Sequence, residues 1–204
     1  MFISFEGTEG VGKTTLISKL YDYFAEQQHA VLLTREPGGT PLAEQIRQLL
    51  LADDDADKMA HDTELLLMYA ARAQHIQNVI MPALSRGDVV LCDRFTDASF
   101  AYQCAGRGLS REKLALLNQT FVPRMPDLTF WLDAPIELGM ARARERGALD
   151  RFEQEKMEFF GKVRAGYAEL HQHAPERIKR LDATQGPEQV FAQALSFLKG
   201  SLSG

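Results

Sequence analysis

The stretch Gly7-Thr8-Glu9-Gly10-Val11-Gly12-Lys13-Thr14-Thr15 restricts the folds open to this chain more than any other. It fits G-x-x-x-x-G-K-[ST] and has the flanks that pattern requires. A short apolar run (Phe2, Ile3, Phe5) precedes it, and a helical repeat (Leu16, Ile17, Leu20, Phe24) follows it. Gly7, Gly10 and Gly12 lack a Cβ, so the backbone can wrap tightly and turn its amides inward. Those amides, with the positive end of the next helix, attract a polyphosphate. Lys13 has the reach for β- and γ-phosphates, and Thr14 offers a hydroxyl to Mg²⁺. A glycine-rich turn without a ligand is the plainer reading, and the strand and helix beside it count against it.

The chain has 204 residues, enough for one α/β domain. A domain of this size buries roughly 70% of its unfolded surface and needs no staples. Its formal net charge of −5 argues against a duplex-binding protein, whose affinity comes mostly from neutralising phosphates. A small anionic ligand held by a few arginines stays possible. Cys92 and Cys104 form no C-x-x-C, so they read as reduced thiols in or near the core. The chain starts on a strand instead of a signal-like segment. No apolar run approaches the roughly 20 residues needed to cross a bilayer. A cytoplasmic location is the resulting expectation.

In chain order, the first helix spans about Lys13 to Gln28 and leads to a second strand, Val31–Thr34, making a βαβ unit. Arg35–Pro41 is a loop by composition. Thr40 caps the following helix and Pro41 suits its first position. That helix carries Leu42, Ile46, Leu49 and Leu50 on one face, with Arg47 off that stripe. Asp53, Asp54, Asp55 and Asp57 read as a solvated loop. Asp62 is expected to cap a long helix reaching about Arg86, with Pro82 kinking or ending its last turn. Met68 and Arg72, four apart, share a face. Val89–Asp93 is a strand ending in a carboxylate. In doubly wound sheets ligands sit at such carboxyl ends, so Asp93 and Arg94 project toward the phosphate loop's crevice. Thr96–Cys104 reads as a short helix carrying Ser99, Tyr102 and Gln103, and Ser110 caps another. A fourth strand, Leu128–Leu132, precedes a helix ending in Arg142, Arg144 and Arg146. Gly147–Asp150 reads as a connection to a second helix beginning near Arg151, and this arginine-rich hairpin as a mobile lid. Ile178–Leu181 is a fifth strand. Gly186-Pro187 starts the last helix. With no repeat or linker, residues 1–204 are expected to form a single domain.

The glycine motif says nucleotide, and many activities share it. No N-K-x-D reads guanine, and no L-S-G-G-Q-like stretch marks a transporter ATPase. A small phosphotransferase with two anionic substrates and a lid remains. Five stretches in order now carry a resemblance: Phe5–Thr15, Thr34–Thr40, Tyr69–Arg72, Asp93–Phe95 with Ser99–Gln103, and Arg142–Glu155 with Asp150-Arg151. Over almost its entire length the chain resembles bacterial thymidylate kinases, which make dTDP from dTMP and ATP.

The resemblance implies a P-loop NTPase fold of three α/β/α layers. A five-stranded parallel sheet would be flanked by helices, with a helical lid over about residues 142–155. It implies that the whole loop, Gly7 to Thr15, holds ATP, with Mg²⁺ at Thr14, Glu9 and Asp93. Glu9 would also meet the acceptor's 3′-hydroxyl. Arg94 would hold the acceptor phosphate, with Arg35, Glu36, Pro37 and Arg47 on the same substrate side. Arg72 would hydrogen-bond the thymine edge, and Ser99 and Gln103 would complete base recognition. Tyr102 would crowd the 2′ position. Ala183, within Asp182–Thr184, would pass near adenine. Met68 stands where the family usually stacks an aromatic ring; a thioether packs on a base face by a different contact. The loop lacks the arginine that some members insert, so the transition-state cation is expected from the lid, Arg151 first, then Arg146 or Arg142. The resemblance also suggests a homodimer packed through helices, with no nucleic-acid or membrane partner. Open alternatives are a kinase for another pyrimidine monophosphate and a nucleotide-binding module without phosphotransfer.

Overall fold

The computed structural model describes residues 1–52, 58–146 and 155–202. Five strands, β1 (Phe2–Glu6), β2 (Val31–Arg35), β3 (Val89–Asp93), β4 (Leu128–Asp133) and β5 (Ile178–Asp182), form one sheet in the order β2-β3-β1-β4-β5. Every pairing is parallel. Strand order reverses at β1, so the carboxyl ends of β1, β3 and β4 open on one crevice. The register sets Phe5 beside Asp93 and Glu6 beside Trp131.

The strands alternate their faces, as a period of two requires. Ile3, Phe5, Leu91, Phe130 and Leu181 pack with α1 (Lys13–Glu26) and the C-terminal helix (Pro187–Leu202). Phe2, Val90 and Cys92 face the other layer, beside Ile76, Ile80 and Phe95. Both faces are therefore covered by apolar side chains, giving the expected three layers. Cys92 and Cys104 are both buried and free. No helix among the described residues is long and apolar enough to cross a membrane.

The Thr40 cap holds: its Oγ1 accepts the Ala43 N–H at 3.1 Å at the head of α2 (Pro41–Leu51). Ser110 caps α6 (Arg111–Phe121) in the same way. Two expectations fail, as does one of two outcomes expected at a third position. In α2 the buried residues are Ala43 and Leu50, whereas Leu42 and Leu49 are exposed, because α3 (His61–His75) packs on a face rotated from the expected stripe. Asp62 does not cap α3 (His61–His75); it lies in the first turn, 2.7 Å from Lys113 Nζ. A carboxylate there still suits the positive helix end. Of the two outcomes expected at Pro82, an end to the helix is ruled out: a π-helical turn over Ile76–Ile80 precedes it, and helix α4 continues over Met81–Ser85, close to the expected limit at Arg86. Such widened turns reconcile a helix with a residue that breaks its ladder.

The short helix after β3 is α5 (Thr96–Ser99), extended by a π-helical turn over Phe100–Gly106. After β4, α7 runs over Ile136–Arg146, and α8 over Met157–His173 begins six residues later than expected. The expected lid connection at Gly147–Asp150 and Arg151, like the acidic run at residues 53–57, lies outside the described residues.

Candidate active site

The glycine turn takes the shape the motif demands. Gly7, Gly10 and Gly12 have φ of 136°, 68° and 96°, which L side chains rarely adopt. Gly10 has a further constraint. A Cβ there would lie 1.9 Å from the Gly139 carbonyl oxygen on α7, and a Cβ on Gly139 would lie 2.4 Å from the Glu9 carbonyl oxygen. Loop and helix α7 thus pack backbone to backbone. Lys13 Nζ donates to Gly7 O at 3.2 Å and Thr8 O at 2.9 Å, so the ammonium is held against the turn's own carbonyls. Burial, then the nearby Arg94 cation, lower its pKa to about 8 against the pull of Asp93, Glu9 and Glu6. Thr14 and Thr15 are exposed at the head of α1.

At the end of β3, Arg94 has φ +66°, rare for a residue with a side chain. Conformations of that kind cost about 1–3 kcal/mol and persist where surroundings over-determine them. Here the Arg94 N–H donates to Phe5 O at 3.0 Å and the Phe95 N–H to Glu6 Oε1 at 2.7 Å. Glu6 is fully buried beside the Tyr167 hydroxyl at 2.8 Å, and burial together with Asp97 pushes its pKa up to about 8. Arg94's side chain reaches back to the loop, donating from Nη1 to Gly7 O at 3.0 Å and from Nη2 to Glu9 Oε1 at 2.8 Å. It also lies over the Tyr102 ring, 4.9 Å from the centroid, while the Tyr102 hydroxyl donates to Glu9 Oε1 at 2.7 Å.

Glu9 Oε2 and Asp93 Oδ1 are buried without a hydrogen-bond partner. Desolvated carboxylate oxygens are expensive unless a donor or cation meets them. Both residues line one cleft of about 480 Å³, a volume in the range of small-molecule sites. The glycine turn, Glu9 to Thr15, lines that cleft together with Met68, Arg72, Ser99 and Gln103, and Tyr102 joins the two groups through its bond to Glu9. Asp93, Arg94, Arg35, Glu36, Pro37 and Arg47 line it too, with Arg142 at its rim. Gly7 and Thr8 contribute through their carbonyls instead.

Buried polar pairs hold the side chains of Arg72 and Gln103. Arg72, 2% exposed, donates from Nε to Glu36 Oε2 at 2.6 Å, from Nη1 to Ser99 Oγ at 3.0 Å and from Nη2 to Phe95 O at 3.1 Å. Gln103 Nε2 donates to the fully buried Glu64 at 3.1 Å. Arg107 also lies 3.5 Å from Glu64 and pairs with Glu155. Arg35 pairs with Glu44 at 2.9 Å, and Arg47 Nη1 donates to Pro37 O at 3.1 Å. Arg142 Nη1 donates to the Ala183 carbonyl at 3.2 Å, joining the lid-side helix to the strand end expected near adenine. The side chain of Arg146 and all of Arg151 lie outside the described residues.

Some lining and supporting residues escaped the sequence reading. Leu51, Phe95 and Ala98 line the cleft. Phe95 directly follows Arg94 in the Asp93–Phe95 stretch. Glu64, His75, Gly139 and Tyr167 act across long sequence separations, and only their placement near the motifs, three residues from Arg72 for His75, was visible beforehand.

The family model for thymidylate kinase matches residues 5–194. The chain belongs to the thymidylate kinase family. Members of this family are nucleoside monophosphate kinases, and the chain is accordingly a phosphotransferase. It is 73% identical over 198 residues to the thymidylate kinase of Acinetobacter baumannii (strain SDF), covering 97% of this chain and all of that one. The thymidylate kinase of Pseudomonas putida (strain GB-1) is 55% identical, over 98% of this chain and 95% of its own. A crystal structure of the thymidylate kinase from Ehrlichia chaffeensis superposes with a TM-score of 0.79 at 32% identity, covering 97% and 98% of the two chains. The P-loop fold and the thymidylate kinase resemblance, both expected from the sequence, are thereby borne out.

Proposed function

We propose that this chain transfers the γ-phosphoryl of Mg-ATP to dTMP, giving dTDP and ADP. The observation that carries the reading is one cleft lined both by the phosphate turn and by the buried hydrogen-bonding residues Arg72, Ser99 and Gln103, with Arg94 bonded back to the turn. ATP lies along the turn, with Lys13 on its outer phosphates and Arg142 and Ala183 on the adenosine side. Arg94, 20% exposed along its side chain, turns its guanidinium to the acceptor phosphate, supported by Arg35 and Arg47. Arg72, Ser99 and Gln103 read the base, Met68 packs on its face, and Tyr102 closes the sugar's 2′ side. Glu36 acts through Arg72, to which it is paired, while Pro37 shapes the same loop.

The reacting phosphates repel one another, so catalysis here is positioning and charge neutralisation. An oxygen of the acceptor phosphate attacks the γ-phosphorus in line as the bond to the β-γ bridging oxygen breaks. Lys13, Arg94 and a lid arginine, Arg151 first, hold the equatorial and leaving oxygens. Among the described residues no cluster of three His, Cys, Asp or Glu side chains forms a metal cage. The orphaned oxygens of Glu9 and Asp93, with the exposed Thr14 hydroxyl, are the groups that would hold a Mg²⁺, a hard cation that takes oxygen ligands. When bound, that ion supplies further neutralising charge.

The whole of residues 1–204 acts as one kinase unit with its lid over about 142–155, working in the cytoplasm. It pairs as a homodimer through helices. Exposed Leu66 on α3, Leu42 and Leu49 on α2, and Leu116 and Phe121 on α6 support that pairing, since α3 packs between the other two. An ADP-release assay across dTMP, dUMP, dCMP and dGMP tests the function. Fastest release with dTMP is expected; a preference for another monophosphate would reassign the acceptor, and release independent of any acceptor would remove the kinase reading.

A further inference from the structure

We propose that His75 is a positioning residue for base recognition, fixing the Arg72 guanidinium through Glu36. This rests on the reading of Arg72 as the arginine that faces the base. Arg72 and His75 are three apart on α3 and so share a face. The His75 ring is fully buried. Its Nδ1 lies 3.0 Å from Glu36 Oε1, and its Nε2 lies 2.6 Å from Thr34 Oγ1. Glu36 Oε2 takes the Arg72 Nε–H at 2.6 Å. A carboxylate only accepts, so Nδ1 donates to Glu36, while Nε2 shares a hydrogen bond with the Thr34 hydroxyl. Both Glu36 oxygens are then engaged. A carboxylate held by one oxygen can swing about its side-chain torsions; one held at both cannot, and the guanidinium fork it grips inherits that direction.

Gly39 gives an independent sign that the site is built around this ring. Its φ is +86°, and a Cβ there would lie 2.4 Å from His75 Cδ2, 2.5 Å from Nε2 and 2.8 Å from Thr34 Oγ1. The space a side chain would take at Gly39 is the space the imidazole occupies. The end of β2, the loop after it and helix α3 therefore meet at one histidine. Neither His75 nor Thr34 lines the cleft, so His75 acts through Glu36 and Arg72 and touches no substrate. A histidine that merely filled the core would tolerate leucine with a loss of stability alone.

Steady-state kinetics with dTMP varied at saturating Mg-ATP separates these roles. His75→Asn keeps an amide donor near Nδ1; His75→Gln keeps a polar group only near Nε2; His75→Leu keeps neither. Losing one charge-assisted hydrogen bond corresponds to about a tenfold loss in binding. His75→Leu, His75→Gln and Gly39→Ala should each raise the dTMP KM about tenfold, with kcat and the ATP KM within about twofold. His75→Asn should restore the KM to within about threefold of wild type. A dTMP KM unchanged in His75→Gln and Gly39→Ala, whatever their melting temperatures, overturns the proposal, as does His75→Asn performing no better than His75→Gln. If His75→Leu fails to fold, the Asn and Gln pair decides. Arg72→Lys in the same assay locates any failure. If it leaves the dTMP KM unchanged, the base-reading role of Arg72 is wrong and the proposal falls with it. If it raises the KM while the His75 and Gly39 variants do not, the His75 relay alone is wrong.

Discussion

Replacing Lys13 with methionine separates the stability that the buried ammonium removes from the catalysis it supports. The side chain is 9% exposed, and burial followed by repulsion from Arg94 lowers its pKa from 10.5 to about 8. That fall corresponds to about 3 kcal/mol of destabilisation wherever the group is charged in both states. Methionine removes the penalty and also the bonds to Gly7 O and Thr8 O, about 1 kcal/mol each. The unliganded variant should therefore be about 1 kcal/mol more stable than wild type at pH 7. The sign reverses at high pH. Between pH 8 and 10.5 the unfolded lysine still binds its proton and the folded one has released it, so wild type gains stability as pH rises. The gain amounts to about 3 kcal/mol relative to the variant, which has no such group. Urea unfolding of both proteins at pH 7 and pH 10 measures this, and their difference cancels the titrations they share. A difference that does not change with pH would refute the buried-ammonium argument. In the same experiment ATP should stabilise wild type and leave the variant nearly unmoved.

Arg151→Ala should depress turnover by about 10³-fold, by comparison with other arginine fingers; a loss below about tenfold would pass the role to Arg146 or Arg142. Met68→Phe should tighten dTMP binding in calorimetry, because a ring stacks on a base where the thioether only packs; unchanged or weaker affinity would count against that contact. Gly139→Ala should raise the ATP KM about tenfold or more, since its Cβ would press on the Glu9 carbonyl; an effect under twofold would mean that loop and helix part without consequence.

What the sequence made legible was local. The strand, glycine turn and helix at residues 2–26 follow from a motif whose residues contact one another, and the Thr40 and Ser110 caps are three-residue contacts. The carboxyl-end position of Asp93 and Arg94 followed once β3 was placed. The misses depend on partners far along the chain. The buried face of α2 is set by α3, so Leu42 and Leu49, apolar in sequence, stay outside the chain's own core. Asp62 answers to Lys113, 51 residues away. Nothing near His75 or Glu64 indicates that each is fully buried and bonded to residues some 40 positions distant. Gly139 has a role only because α7 crosses the phosphate turn, a fact of topology.

Direct transfer requires both nucleotides in one cleft, with no protein atom carrying the phosphoryl group between them. Transfer from ATP bearing a chiral γ-thiophosphate tests that directly, because each in-line displacement inverts the configuration at phosphorus. A single transfer predicts dTDP with inverted configuration. Retained configuration would reveal two successive displacements through a phosphorylated side chain and would contradict the account.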